Sequence, residues 1–311
     1  MSAGAGTMTH SQPRRRGILS RFLASQFFAV SVVVLAIIAI WYVAAYLMNA
    51  PFQRELDARA EAAPSFVEFV QSTYEQERPV MPSPHQVGKE LYKTVVVTAP
   101  TSKRSLVYHG WVTLSSTLLG FLIGTVLGVG LAVAIVHVRS LDKSLMPWIV
   151  SSQTIPILAI APMIIVVLAS VNITGILPKA FISTYLSFFP VTVGMVKGLR
   201  SPDPIHLDLM RTCNASRSQV FWKLRWPASV PFLFVSMKVA VAASLVGAIV
   251  GELPTGAVAG LGARLLTGSY YGQTVQIWSA LIAASLMAGV LVAIVGLIER
   301  IVLRRMGTVA R

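Results

Sequence analysis

The residues whose types and spacing indicate a specific task form a polar segment, 200–227, between two strongly apolar stretches. Its sequence is RSPDPIHLDLMRTCNASRSQVFWKLRWP. A segment that merely joined two membrane helices could be a handful of residues long. This one is rich in side chains that cap and turn helices. It predicts a short helix, a sharp turn, a second short amphipathic stretch and a proline that enters the next apolar run.

The start and the end of the short helix can both be assigned from residue types. Pro202 and Pro204 suit a first helical turn, because the N–H groups there have no partner within the helix. Asp203 is placed to act as the N-cap. Asn214 stands where the helix would end, and asparagine tolerates the left-handed backbone of a C-terminal turn. A quick reversal at this point requires a positive φ, which we predict for Asn214.

Motifs for catalysis or cofactor binding are absent from the sequence. It contains no G-xxxx-G-K-[ST] phosphate loop, no H-E-xx-H zinc motif and no G-x-S-x-G nucleophile elbow. The five histidines fall at or beyond the edges of the apolar runs, so none is positioned to activate an intramembrane serine. The single cysteine, Cys213, excludes an intramolecular disulfide and a multi-cysteine metal site. We therefore predict a chain that is not an enzyme, binds no ATP itself and carries no cofactor or metal.

Composition predicts an all-α polytopic membrane protein. Hydrophobic residues make up 55% and charged residues 12% of the chain, and the mean hydropathy is +0.70, whereas soluble proteins have about 25% charged residues. Six runs approach or exceed the length of about 20 apolar residues that crosses a bilayer. They lie near 27–48, 110–136, 145–170, 180–196, 228–250 and 275–298, and Lys238 is the one charge inside them. A soluble helical bundle would need polar faces on these helices, and they have none.

Lysine and arginine predict the orientation, because they concentrate on the cytoplasmic side of membranes. With a cytoplasmic N-terminus, 16 basic residues fall inside and 9 outside, whereas acidic residues number 4 inside and 8 outside. Both termini and 200–227 are then cytoplasmic, and 52–104 faces outward. The net charge of +14 thus reflects topology and attraction to anionic lipid head groups. Nucleic-acid binding is disfavoured because the basic residues are scattered along the membrane edges.

The predicted organisation has five parts. They are a cytoplasmic tail at 1–25, a first transmembrane helix at 26–48, an external segment with amphipathic helices at 49–106, a core at 107–305 and a cytoplasmic tail at 306–311. The first apolar run exceeds the apolar region of a signal peptide and has no convincing cleavage site after it, so we expect a retained helix. Residues 52–78 predict one or two surface helices that could cap the external mouth, touch a binding protein or form a plain solvated insert.

The segment 200–227 resembles the cytoplasmic EAA loop of bacterial ABC-importer permeases, in the branch that imports nitrate, sulfonates, taurine and thiamine or riboflavin precursors. That loop runs roughly as D-P-x-x-x-x-x-A-R-x-x-G-A-S, with a proline further on. The matching positions here are Asp203, Pro204, Arg211, Ala215, Ser216 and Pro227. Met210 departs from the alanine and Asn214 from the glycine, and the second change is mild because Asn adopts positive φ readily. The likeness extends from about Met81 to Arg305, and includes Glu252 and a Gly260-Leu261-Gly262 turn before the last helix.

The resemblance implies a type I ABC-importer permease fold with a cytoplasmic coupling helix. The residues assigned to ATPase coupling are Asp203, Pro204, Asp208, Met210, Arg211, Asn214, Ala215, Ser216 and Pro227. The implied partners are separate ATPase subunits, which bind the ATP, a second identical or closely related permease subunit, and a periplasmic or lipid-anchored solute-binding protein. The implied cargo is a small nutrient, either nitrate-, sulfonate- or taurine-like or a pyrimidine-type thiamine precursor. A passive channel or a secondary transporter is the alternative, which the lack of Asp and Glu within the predicted spans disfavours.

Polar residues beside prolines are candidates for the wall of the translocation path, because a proline within a span kinks or unwinds the helix. The candidates are Ser151, Ser152, Gln153 and Thr154 before Pro156, and Ser183, Thr184 and Tyr185 before Pro190. Each could instead form hydrogen bonds between helices. Lys238 is a further candidate, since a cation inside a span needs an ionic partner or water.

Glycines recur at helical spacing in two of the spans. Gly120, Gly124 and Gly128 form one ladder, and Gly247 and Gly251 form a second pair. Small side chains let membrane helices approach each other closely. We expect packing within the chain from these positions, in preference to a subunit interface.

Overall fold

The computed structural model describes residues 26–61, 63–254 and 259–307. Within these ranges the regular structure is helical, which confirms the predicted all-α fold. The predicted tail at 1–25 and residues 308–311 of the second tail lie outside the described residues.

The helices cover most of the described chain. In order they are α1 (Gln26–Arg59), α2 (Phe66–Tyr74), α3 (Pro84–Tyr92), α4 (Leu106–His137), α5 (Arg139–Ser152), α6 (Ile157–Ser170), α7 (Ile176–Leu199), α8 (Pro204–Thr212), α9 (Arg217–Val220), α10 (Trp226–Glu252), α11 (Leu261–Tyr270) and α12 (Thr274–Arg305). Wider, π-helical turns extend α3 at Lys93–Val97 and join α9 to α10 at Phe221–Arg225. Five described helices are long and apolar enough to cross a bilayer, namely α1, α4, α7, the joined α9–α10 and α12. The number is six if α5 and α6 together form one span.

The predicted span at 145–170 is not one straight helix. The axes of α5 and α6 differ by 100° across a short break. The break precedes Pro156, which lacks the N–H that a helix needs and disfavours helical backbone at Ile155. Pro156 has φ −64° and ψ 111°, so the backbone is extended there. The kink that the proline predicted is sharp enough to divide the apolar run into two half-helices.

The first helix is longer than predicted. It was expected at 26–48, but α1 runs for 34 residues to Arg59 and contains Pro51. At 1.5 Å per residue its length is about 51 Å, against about 30 Å for the hydrocarbon core of a bilayer. Residues 52–59 therefore continue α1. Of the one or two surface helices predicted in residues 52–78, the structure has one separate helix, Phe66–Tyr74.

Small residues allow α7 to lie between α4 and α10. A side-chain carbon added at Gly120 or Gly124 would overlap Ser183 or Ser187 respectively, and one at Gly247 would lie 2.7 Å from the Cα of Ser183. The predicted packing of these glycines within the chain is confirmed. Buried apolar residues of α7 complete the contact, among them Ile182, Val191, Met195 and Leu199.

The described residues divide into two compact units, with the boundary between Pro84 and His85. In the first unit α2 runs back along α1. The rings of Tyr74 and Tyr42 are 5.7 Å apart, and the guanidinium of Arg54 lies 5.9 Å from the centre of the Phe69 ring. The second unit contains α4 to α12 and all of the residues assigned to the candidate site.

Candidate functional site

The helix α8 begins where the sequence predicted. The carboxylate of Asp203 accepts a hydrogen bond of 2.9 Å from the backbone N–H of Ile205, and Pro204 occupies the first turn. Aspartate at this position satisfies one of the free N–H groups of the first turn and interacts favourably with the positive end of the helix dipole. The predicted N-cap is therefore confirmed.

The turn that ends α8 depends on Asn214, whose φ of 50° confirms the predicted left-handed conformation. The N–H of Ala215 donates to the carbonyl of Met210, and the N–H of Asn214 donates to the carbonyl of Arg211, both at 2.9 Å. These two bonds form a Schellman motif, which satisfies carbonyls that the end of a helix leaves free. Asparagine thus fulfils the backbone requirement that glycine meets in the resembled pattern.

The next helix begins immediately after this turn. Ser216 and Gln219 form a capping box, with bonds of 3.3 Å from the Gln219 N–H to the serine hydroxyl and 2.8 Å from the Ser216 N–H to the glutamine carbonyl. One helix therefore ends and another begins within four residues. Both ends are fixed by hydrogen bonds, so the reversal between α8 and α9 is rigid.

Pro227 lies in the first turn of α10, but no break in the helix precedes it. The helix continues from Arg217 to Glu252 over 36 residues. The π-helical turn Phe221–Arg225 lies directly before the proline. A wider turn accommodates a residue that donates no hydrogen bond and crowds the carbonyl four residues earlier. The expected stretch at 217–226 and the expected span at 228–250 are one helix.

The exposed face of α8 combines apolar and charged side chains. Ile205 is 74% exposed and Leu209 is 58% exposed, and residues four apart share a helix face. Arg211 and Asp208 form an exposed ion pair of 2.9 Å. Such an exposed pair adds little stability. No described residue covers this face.

The candidate path residues at the α5–α6 break and those on α7 are brought together by one hydrogen bond. The hydroxyl of Tyr185 donates to the carbonyl of Ser152. The hydroxyls of Ser152 and Thr154 donate to carbonyls three residues earlier, and Ser151 is exposed beside them. Together with Gln153, these residues form a polar cluster where α5 ends.

Ser183 and Thr184 lie at helix contacts. The hydroxyl of Ser183 donates to the carbonyl of Ser244 on α10 at 2.9 Å, and that of Thr184 donates to the carbonyl of Gly120 on α4 at 3.2 Å. Both side chains are buried. The structure thus gives them the helix-joining role that was the alternative to lining a path, and a contribution to the path stays a prediction.

Lys238 has an acidic partner. Its ammonium group forms a close ion pair with Glu299 on α12, and the side chains are 33% and 13% exposed. The sequence prediction ended the last span at 298 and so placed this acid outside it, whereas α12 continues to Arg305. An ionic partner lowers the cost of a cation inside a membrane helix.

A second polar cluster, around Glu252, was not predicted from the sequence. The carboxylate of Glu252 is fully buried and accepts hydrogen bonds from the Thr113 hydroxyl at 3.0 Å and from the Gly262 N–H at 2.8 Å. The ammonium of Lys179 lies 3.6 Å from it, and the Leu261 N–H donates to Thr113 at 2.8 Å. These five residues are called the Glu252 cluster. They join α4, α7 and α10 to the start of α11.

The turn before α11 requires glycine at Gly260. Its φ is 130°, and an added side-chain carbon would overlap the carboxylate of Glu252. The Gly260-Leu261-Gly262 turn was predicted to precede the last helix, but α11 lies between it and α12. A cavity of about 610 Å³ lies beside this region, with Tyr108, Ser115, Thr174 and Lys179 among its lining residues.

Comparison with known proteins gives the family. Residues 120–308 match the family described as binding-protein-dependent transport system inner membrane component. A probable ABC transporter permease protein of Haemophilus influenzae is 32% identical over 65% of this chain and 78% of its own length. The riboflavin transport system permease protein RibX of Chloroflexus aurantiacus is 29% identical over 72% and 80%. The formylaminopyrimidine transport permease protein ThiX of Halalkalibacterium halodurans is 31% identical over 59% and 68%.

The matched region runs from the glycine ladder of α4 to the end of α12, and it includes α8 and the capped turn at Asn214. More than half of the chain is covered, and the relatives are ABC permeases of the branch that the 203–216 pattern indicated. The chain is therefore a multi-pass membrane protein that belongs to the inner-membrane permease components of binding-protein-dependent ABC transport systems.

Proposed function

We propose that this chain and a second permease subunit form the path through which an ATP-driven importer moves a small nutrient, and that α8 is the helix that couples the path to a separate ATPase. The observation that carries the proposal is the geometry of 203–216. A short helix with an exposed apolar face is fixed at both ends by capping hydrogen bonds. A rigid helix of this kind can transmit force from a docked partner.

The continuous helix from Arg217 to Glu252 offers a mechanical route for that force. Its 36 residues span about 54 Å at 1.5 Å per residue. One end follows the turn at Asn214, and the other end carries the buried carboxylate of Glu252. Movement of α8 on an ATPase would therefore tilt a helix whose far end is bonded to α4 and α11. This arrangement supports alternating access by rocking of the helix bundle.

The path itself is proposed to run along the α5–α6 break and the facing part of α7. The polar cluster around Ser152 and Tyr185 lies where a half-helix ends, and non-helical backbone at membrane depth is tolerated where it lines a cavity. Lys238 on α10 and its partner Glu299 on α12 supply charged groups at a second position along the path. We assign the path-lining role to Ser151–Thr154, Tyr185 and Lys238, with Ser183 and Thr184 behind them.

The cargo is proposed to be a small anion or a flat heteroaromatic nutrient. Relatives are named for riboflavin, formylaminopyrimidine, aliphatic sulfonates and nitrate. The external solute-binding protein would select among these, and ligand screening of that protein would identify the cargo. Both termini and α8 are proposed to face the cytoplasm, in accordance with the 16-to-9 division of basic residues.

The family match makes a secondary transporter less favoured, although one argument that the sequence offered against it, the absence of acidic residues within the spans, is wrong. The sequence placed no acid inside a span, yet Glu252 and Glu299 both lie in helices long enough to cross a bilayer. The family match nevertheless favours ATP-driven transport. Uptake that persists in cells lacking the partner ATPase would establish the alternative and contradict the proposal.

The coupling role of α8 is tested with the double variant Ile205→Asp, Leu209→Asp. These exposed side chains contribute little to folding, so we expect normal insertion, loss of co-purification with the ATPase and loss of solute uptake. The matched control is Val80→Asp, which changes an apolar residue that is 54% exposed in the predicted external segment. Normal uptake by the α8 variant would show that 200–227 is only a connector.

A further inference from the structure

The hairpin of α1 and α2 differs in charge from the rest of the chain. We call residues 52–78 the outer hairpin. It contains six of the twelve acidic residues of the chain and three of the 26 basic residues. It lies upstream of the family match, which begins at residue 120. Because the outer hairpin has a net negative charge on a strongly basic protein, it favours a partner with a positively charged surface.

The outer hairpin lies beyond the apolar part of α1. Trp41, Tyr42 and Tyr46 lie near the end of the apolar part of α1, where aromatic residues typically mark the edge of a bilayer. From Tyr46 to Arg59 the helix continues for about 20 Å at 1.5 Å per residue. Phe66 is 76% and Val67 is 73% exposed at this far end. Because this apolar tip follows the apolar part of the helix and lies among charged residues, a protein partner explains it better than a membrane does.

Buried polar groups hold the hairpin in one arrangement. The side-chain amide of Asn49 exchanges two hydrogen bonds with the backbone of Met81, at 2.8 and 3.1 Å. The amide of Gln76 donates to the carbonyl of Asn49 and to the side chain of Gln53, which donates to Asp57 at 2.9 Å. Networks of buried hydrogen bonds rigidify the elements they join. A surface that is ordered before binding loses less entropy when a partner docks.

A pocket of about 590 Å³ lies at the tip, and Tyr46, Asp57, Phe66 and Phe69 are among its lining residues. One oxygen of Asp57 accepts the bond from Gln53, but the other, Oδ2, is buried and has no hydrogen-bond partner among the described residues. Arg54 also lines the pocket, but its guanidinium lies over Phe69 and forms no described ion pair with Asp57. A buried carboxylate oxygen without a partner is costly, and aromatic faces attract cations.

We propose that the outer hairpin is a docking site for the solute-binding protein, and that the pocket beside Asp57 receives a lysine or arginine side chain of that partner. The proposal rests on the proposed importer function and on an external position for 52–104. Phe66 and Val67 form the apolar rim of the site, and Asp57 supplies its charge. The acidic surplus of the hairpin directs the basic face of the partner towards it.

The test uses the full complex of this chain, its permease partner and its ATPase subunits in lipid nanodiscs, with the solute-binding protein of the same transport system as the probe. ATP hydrolysis is measured as the solute-loaded binding protein is titrated. We expect Asp57→Asn, which retains the oxygen that accepts from Gln53, to raise the concentration for half-maximal stimulation at least about tenfold. Phe66→Ser should raise it as well. Basal hydrolysis should be unchanged in both variants.

The matched control is Glu77→Gln, which removes one exposed negative charge from the hairpin outside the pocket. We expect a change of at most about twofold, because exposed charges contribute little. Half-maximal concentrations within twofold of wild type for both Asp57→Asn and Phe66→Ser would overturn the proposal. Loss of basal hydrolysis or of complex assembly would also overturn it, and would assign the hairpin to contact between permease subunits. No stimulation of the wild-type complex would contradict the importer function itself.

Discussion

At the scale of single residues, the turn at Asn214 connects local backbone chemistry to the proposed coupling. The backbone at Asn214 is left-handed because the N–H groups of Asn214 and Ala215 must both reach carbonyls of α8. Glycine enters this conformation without strain, asparagine with little, and a β-branched residue only at a cost of about 1–3 kcal/mol.

We predict that Asn214→Gly retains solute uptake and that Asn214→Val loses most of it. Valine would distort the turn and weaken the hydrogen bonds that join α8 to α9, while the membrane helices remain folded. The measurements are uptake in cells and co-purification of the ATPase. Equal uptake by the two variants would show that the turn is not required for coupling.

The ion pair of Lys238 and Glu299 permits a double-mutant test. Lys238→Met leaves Glu299, whose side chain is only 13% exposed, without its cation. Removal of one partner of a partly buried pair leaves the other charge without compensation, whereas apolar replacement of both is often neutral. We predict that Lys238→Met lowers the melting temperature in detergent and that adding Glu299→Met restores most of the loss. An equal or larger loss in the double variant would contradict this account.

Residue-level predictions from the sequence were accurate where the hydrogen bonds are local. Asp203 caps a residue two positions away, and the turn at Asn214 joins groups three to five positions apart, so residue types and spacing suffice to find them. The Glu252 cluster joins Thr113 to an acid 139 positions later. No local pattern contains that information, so Glu252 and the glycine turn could be recognised only by their likeness to the family.

At the scale of helices, the contact of α7 with α4 depends on the absence of side chains. A carbon added at Gly124 would overlap the hydroxyl of Ser187 and lie 3.2 Å from the backbone N of Phe188. Gly130, on the same helix, has open space around the corresponding position. The two glycines therefore differ in packing while sharing one helix.

We predict that Gly124→Ala destabilises the protein by about 1–3 kcal/mol, because the added methyl group overfills the contact. Gly130→Ala should be neutral or stabilise by up to about 1 kcal/mol, since alanine favours the helix more than glycine does. Thermal unfolding of the two variants in the same detergent measures the difference. Equal stability would mean that α4 and α7 separate more easily than their packing indicates.

Helix positions were predictable from hydropathy, but helix ends and breaks were not. Apolar runs locate the spans because lipid contact requires apolar side chains. Hydropathy does not report that α1 continues to Arg59, since those residues are helical but lie beyond the apolar run. Nor does it give the 100° angle between α5 and α6. Pro156 indicated a kink, but a proline alone does not determine the angle of the kink.

At the scale of the whole molecule, charge is divided between the two sides proposed for the membrane. The segments assigned to the cytoplasm hold 16 basic and 4 acidic residues, and those assigned to the exterior hold 9 basic and 8 acidic residues. The fold is compatible with this division when α5 and α6 together form one span, because three crossings, by α4, the α5–α6 pair and α7, then separate the outer hairpin from α8 along the chain. Orientation affects every functional proposal, since an ATPase and an external binding protein must contact opposite faces.

The orientation can be tested with the native cysteine. Cys213 is exposed and lies in the turn after α8, and it is the single cysteine of the chain. We predict that a membrane-impermeant maleimide labels Cys213 in inside-out vesicles but not in intact spheroplasts. In a Cys213→Ser background, a cysteine introduced by Glu75→Cys, at an exposed position of the outer hairpin, should show the opposite pattern. Labelling of Cys213 in intact spheroplasts would place α8 outside, where no ATPase could reach it, and would exclude both the coupling role of α8 and the docking role of the hairpin.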